Sequence, residues 1–131
     1  MDPRQHHNHN GECWYEIPIQ LPLEYTDWLR ENVPAEQIKE QPLPHITLLY
    51  GFDCRLYFEV DALVKAYNIT PSDYCFGTVK RGSISPVYLV PVHSTKLQQQ
   101  LFSELSSRFP NKHTLINGKF DPHVTLCWLH S

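Results

Sequence analysis

Two short stretches, 45-HITLLYGF-52 and 123-HVTLCWL-129, decide how the rest of this chain is read. Both begin His-apolar-Thr-Leu, and both follow a proline, Pro44 and Pro122. Their β-branched and aromatic content favours strands. Strand side chains alternate between faces, so His45 and Thr47 share one face while Ile46 and Leu48 take the other. His123 and Thr125 are separated from Val124 and Leu126 in the same way. Each stretch thus offers one imidazole and one hydroxyl above an apolar backing. Strict alternation also places Tyr50 and Trp128 on the side away from the histidines, a bulge aside, and Cys127 on the histidine side.

Working outward, CWYEIPIQ (13–20) reads as a strand with Tyr15, Ile17 and Ile19 on one face, and Pro18 demotes it to an edge or bulged position. LPLEYTDWLREN (21–32) gives a helix with Leu23, Trp28 and Leu29 on its apolar side, stopped by Asn32 and Pro34. A second helix near 59–67 carries Val60, Leu63, Val64 and Tyr67. Strands follow at 74–81 and 85–92, joined by a turn at Gly82. The stripe Leu97, Leu101, Phe102, Leu105 and Phe109 makes 94–109 the clearest helix, capped by Ser94 or Thr95 and ended by Pro110. KHTLIN (112–117) is a strand or extended loop. The order β-α-β-α-β-β-α-β-β, with no Gly-rich phosphate loop after any strand, predicts an α+β fold with mainly antiparallel strands. Each histidine strand follows a helix and a proline-containing loop. That repetition suggests two similar lobes whose polar faces meet across a cleft.

The 131 residues, 41% hydrophobic and 12% aromatic, suffice for one domain, expected over 13–131. Residues 1–12 hold His6, His7 and His9 without apolar periodicity; they read as a disordered leader, with weak metal binding as the alternative. Lysine plus arginine number 11 against 14 acids, a net charge of −3, which argues against many phosphate contacts along a long nucleic acid. No apolar run approaches the roughly 20 residues of a bilayer span, and no secretory signal is present. A cytoplasmic protein is therefore expected. Cys13, Cys54, Cys75 and Cys127 fit no zinc spacing, so four reduced, structural thiols are expected.

Two imidazoles titrating near neutrality can act as general base and general acid in one turnover. Two threonine hydroxyls beside them can donate to phosphoryl oxygens. The set suits phosphodiester cleavage with no metal and no cofactor. Tyr15 reads either as a cleft residue that stacks on a base or binds phosphate, or as a core tyrosine. Lys80 and Arg81, before the Gly82 turn, are candidate phosphate contacts, with a solvated turn as the alternative. His93, His113 and His130 lack the His-x-Thr context on a strand and read as peripheral.

The pair 45-HITL-48 and 123-HVTL-126 resembles the signature of the 2H phosphoesterase superfamily, over about residues 13–131. The resemblance implies a bilobal, pseudo-symmetric α+β fold with antiparallel sheets around a cleft and helices outside. It also implies metal-independent cleavage of 2′,5′- or 3′,5′-phosphodiesters, or opening of nucleoside cyclic phosphates. His45 and His123 would be the acid–base pair, and Thr47 and Thr125 the phosphate-contacting hydroxyls. Cellular members are commonly longer than this chain. Short viral and phage members degrade 2′,5′-oligoadenylates or cyclic oligonucleotide messengers, which makes host immune evasion the expected setting. The expected partner is a short or cyclic oligonucleotide, bound by a monomer away from membranes and long nucleic acid. The alternatives are RNA-end processing through a 2′,3′-cyclic phosphate, a module that sequesters a nucleotide without turnover, and a metal-binding protein that uses the leader.

Overall fold

The computed structural model describes residues 6–7, 11–70, 73–83, 85–112 and 122–130. Its elements run β1 (His6–His7), β2 (Glu12–Pro18), α1 (Leu23–Asn32), β3 (Ile38–Glu40), β4 (His45–Asp53), α2 (Tyr57–Tyr67), β5 (Cys75–Phe76), β6 (Lys80–Arg81), β7 (Val87–His93), α3 (Lys96–Arg108) and β8 (His123–Leu129). The described strands pair antiparallel in the order β1-β2-β4-β8-β7-β5, with β3 beside β8 and β6 beside β7. The α+β reading holds. Among the described residues no helix is long and apolar enough to cross a membrane. The side chains of His6, His7 and His9, and the 113–117 part of the expected KHTLIN strand, lie outside the description.

One sheet face is apolar and covered by helices. Ile46, Leu48, Leu49, Val90 and Val124 lie there fully buried, packed with Val60 of α2 and with Leu101, Phe102 and Leu105 of α3. Tyr25 and Leu29, one helical turn apart, are the buried residues of α1, and Leu29 packs with Val33 and Cys127. The expected apolar face of α1 needs one correction: Leu23 is its first residue and is 79% exposed, because Tyr25 takes the inward position. Thr95 caps α3 by accepting from the Gln98 backbone N–H, while the Gln98 side chain accepts from the Thr95 N–H.

The expected single strand at 74–81 is two short ones. Pro91 of β7 explains the break. Its carbonyl accepts from Gly77 N–H, so its ring nitrogen faces the same edge and has no hydrogen to donate there. β5 pairs with β7 beyond Pro91 and β6 before it. Pro18 is tolerated for a related reason: it is the last residue of β2, and β1 covers only Cys13 and Trp14 on the outer edge.

Four free thiols were expected, and this too is corrected. Cys13 and Cys54 form a disulfide with Cα atoms 5.1 Å apart. The β2–β4 register does this by placing Cys13 opposite Phe52, two residues before Cys54. Cys127 is free and buried, and burial pushes its thiol above the ordinary range; Cys75 is free and exposed.

Candidate functional site

β2 pairs with β4, and β7 with β8, in the same register. Tyr15, Glu16, Ile17 and Pro18 stand opposite Leu49, Thr47, Ile46 and His45. Tyr88, Leu89, Val90 and Pro91 stand opposite Cys127, Thr125, Val124 and His123. Each motif histidine therefore faces a proline. Each strand skips the leucine of its motif in the ladder, Leu48 in β4 and Leu126 in β8, and β4 skips Gly51 as well.

β4 and β8 meet where Ile46 faces Val124. The antiparallel register fixed by that pair sets His45 across from Thr125 and Thr47 across from His123. All four point to the face opposite the helices; His45, Thr47 and Thr125 are half-buried and His123 is exposed. The imidazoles are diagonal neighbours, a relation that spaces residues roughly 7–8 Å apart in a paired sheet. Beyond this point the strands part: the end of β8 pairs with β3, and the Tyr50 carbonyl of β4 accepts from Lys112 N–H.

The skipped leucines change what strict alternation predicts. A bulge shifts the facing of everything after it. Leu49 and Cys127 consequently turn into the core, fully buried. Tyr50 and Trp128 turn to the histidine face, each 38% exposed. This corrects the expected placement of Tyr50, Trp128 and Cys127. Along the open face the order becomes Tyr50, the Thr47–His123 row, the His45–Thr125 row, then Trp128. Gly51 makes a second irregularity possible: its φ is +71°, and a Cβ there would come within 2.6 Å of the Lys112 stem.

Around His45 the polar contacts are specific. Nδ1 lies 2.8 Å from the Leu43 carbonyl, so Nδ1 carries a hydrogen and donates it. Nε2 lies 3.4 Å from Oε1 of Glu16, whose side chain is 5% exposed. Trp14 Nε1–H donates to that same oxygen at 2.8 Å, and the Trp14 and Tyr50 rings lie 6.1 Å apart.

The three expected substrate contacts are placed differently from one another. Tyr15 lies on the core face, where its hydroxyl donates to Asp61 Oδ1 at 2.6 Å and its ring stands 5.5 Å from Tyr57. Burial pulls the Asp61 carboxyl upward, but the bonds from Lys65 and Tyr15 prevail and hold it below its ordinary range. Lys80 pairs with Leu89, which pairs with Thr125, so Lys80 extends the His45–Thr125 row and is exposed. Arg81 faces the other way, with its guanidinium 5.7 Å from the Tyr88 ring centre and donating to the Ser85 carbonyl. His93, exposed, lies on the Pro91 side of β7 and so on the open face; His130 pairs its N–H with Gln37.

Sequence reading missed Trp14, Glu16, Tyr50 and Trp128. Two signals were available. The segments 15-YEIPI-19 and 88-YLVPV-92 match as Tyr-x-aliphatic-Pro-Ile/Val, which announces the second pair of equivalent strands. The motifs extend to 45-HITLLY-50 and 123-HVTLCW-128, each ending in an aromatic residue. Among the described residues no group of three or more His, Cys, Asp or Glu is placed to hold a metal ion. No protein-family model, curated protein or solved structure matches the chain.

Proposed function

We propose that this chain is a phosphodiesterase of the 2H phosphoesterase type, working without metal on short or cyclic oligonucleotides. The observation that carries the reading is the register at Ile46 and Val124, which sets two His/Thr rows side by side on one face. In this reading the repeated strand registers are the two halves of a pseudo-symmetric, bilobal fold, and the parting of β4 and β8 opens the cleft between them.

The chemistry follows from the four side chains. One imidazole takes the proton of the attacking hydroxyl, a neighbouring 2′-hydroxyl or a water, as the new P–O bond forms. The other gives a proton to the oxygen whose bond to phosphorus breaks. Each transfer contributes roughly 10²–10⁴-fold. Thr47 and Thr125 donate to the non-bridging oxygens, where charge builds. Tyr50 and Trp128, one beyond each row, supply ring faces for bases on either side of the scissile phosphate. Lys80 adds a cation at the edge of the same face. A substrate held by these few local contacts is small, in keeping with the net charge of −3.

The test is incubation with 2′,5′-linked, 3′,5′-linked and cyclic oligonucleotides, with products identified by mass. Wild-type protein is expected to cleave at least one class, before and after exhaustive chelation, and His45→Ala and His123→Ala to cleave none. Full turnover by either variant defeats the reading. Tight binding with no product identifies a sequestering module instead.

A further inference from the structure

The two aromatic residues that flank the His/Thr rows have unlike neighbours. Each stands two ladder steps beyond the threonine of its own motif, roughly 7 Å along the strand. Tyr50 faces Trp14 of β2, whose ring lies 6.1 Å away. Trp128 faces Glu40, the last residue of β3. We propose that Glu40 and Trp128 form a base subsite selective for guanine. This inference rests on the phosphodiesterase reading and deepens it, by naming the base that the substrate presents beside Trp128.

β3 reaches Trp128 through a bulge of its own. Ile38 pairs with Leu129 and Glu40 with Trp128, so the ladder skips Lys39. Ile38 and Leu129 pack on the core side with Leu29, Val33 and Cys127. The skipped residue turns Glu40 away from that side and onto the open face with Trp128. Both are exposed, Trp128 by 38%. Directly opposed residues have Cβ atoms about 4.5–5.5 Å apart, so the Glu40 carboxylate is within reach of a base stacked on the indole. On its other flank Trp128 faces Val87 of β7. A base lying on the indole therefore finds an aliphatic residue toward β7 and a carboxylate toward β3.

The choice of base follows from donors and acceptors. A carboxylate has two acceptor oxygens and no donor. On its Watson–Crick edge guanine presents N1–H and N2–H side by side, two donors for two oxygens. Adenine sets its N6–H beside the N1 lone pair, and cytosine its N4–H beside the N3 lone pair. Uracil sets its N3–H between two carbonyls. Each of these three turns an acceptor toward the carboxylate, which repels it. Among the four bases, guanine alone forms the bidentate, charge-assisted pair. Stacking on Trp128 tolerates any base, so the edge contact makes the selection. The substrate class narrows accordingly: a short or cyclic oligonucleotide with guanine next to the scissile phosphate, ahead of one built from adenine alone.

Base substitution tests the subsite. Matched dinucleotides of guanine, hypoxanthine and adenine, each 2′,5′-linked, 3′,5′-linked and cyclic, are compared by kcat/KM. Hypoxanthine is guanine without the 2-amino group and keeps one of the two donors. The wild type is expected to favour guanine over adenine by about 5- to 150-fold, the range of one good bidentate pair, with hypoxanthine between them. Glu40→Gln exchanges one acceptor for an N–H donor, and its amide matches N6–H and N1 of adenine. It should lower the rate on guanine about tenfold and raise the rate on adenine, so that the preference collapses or reverses. Glu36→Gln, the same loss of charge at another exposed position, should leave both rates unchanged. If Glu40→Gln does not fold, Glu40→Ala serves, with the preference lost and no gain on adenine. A wild type that cleaves adenine dinucleotides as fast as guanine ones overturns the subsite and leaves the phosphodiesterase reading intact. A Glu40 variant that keeps the wild-type preference does the same. No cleavage of any of these dinucleotides by the wild type overturns both.

Discussion

Ile46 stands directly across from Val124, and both side chains are fully buried. That contact is where the two histidine strands touch, so the distance between the imidazoles is set by a packed apolar pair beneath them. α1 packs toward β8 and α3 toward β4, so each helix braces the histidine strand that does not follow it. The site is held from below.

Ile46→Ala is accordingly expected to cost about 2–5 kcal/mol, and Ile46→Val about 0.5–1.5 kcal/mol. A double-mutant cycle with Val124→Ala, read by urea unfolding, should show a coupling of about 0.5–3 kcal/mol because the residues are in contact. Ile46→Val should also lower the catalytic rate more than its stability loss alone explains. Strict additivity would mean that the two strands are not packed against each other here.

Much of this arrangement was legible in the sequence. The alternation of 45-HITL-48 and 123-HVTL-126 gave both strands, the shared face of His and Thr, and the buried partners Ile46 and Val124. What alternation could not supply was the count of ladder residues. Leu48 and Leu126 look like ordinary core leucines, yet each is skipped by its partner strand, and that reversal brings Tyr50 and Trp128 to the open face. The break between β5 and β6 was likewise hidden, because Pro91 acts on an edge of β7 that only the topology identifies. Glu16 reads as a solvent-side acid of an amphipathic strand until β4 is laid beside it. The Cys13–Cys54 bridge escaped for the same reason, since the register rather than the cysteine spacing brings the two together.

That bridge carries a stability prediction. It links residues separated by 41 positions, and the chain-entropy model assigns such a loop roughly 4 kcal/mol, with 2–4 kcal/mol typical in practice. Reduction, or Cys13→Ser with Cys54→Ser, should lower the unfolding midpoint by a corresponding amount. Cys75→Ser should leave the midpoint unchanged, because that thiol is free and exposed. Thiol counting under denaturing conditions should find two reactive cysteines before reduction and four after; finding four at the outset would refute the pairing.

Asp53 predicts an acid dependence. The Arg55 side chain, and then the Arg55 backbone N–H, donate to its carboxyl and hold it at about 2, below its ordinary 3.8. A depressed carboxyl stabilises the fold above its unfolded value and loses that contribution as pH falls through its folded one. The gap in thermal midpoint between wild type and Asp53→Asn should therefore be constant down to about pH 4 and close between about pH 4 and pH 2. The pair is solvent-exposed, so the gap should be small and should shrink further in high salt. A gap that widens on acidification would contradict the Arg55 contacts as its source.

On the phosphodiesterase reading, substitutions at the two threonines would separate phosphate binding from proton transfer. Thr47 and Thr125 each stand across from the histidine of the other motif, so each hydroxyl lies beside the imidazole that its own strand does not supply. If these hydroxyls meet charge that grows on the phosphoryl oxygens, their loss should appear in kcat rather than in KM. Thr47→Val and Thr125→Val keep the shape and remove the donor; each should lower kcat by roughly 10²–10³-fold. Thr→Ser at either position restores a hydroxyl and should recover most of the rate. A rise in KM with kcat unchanged would assign the hydroxyls to ground-state binding and leave the charge in the transition state to other donors.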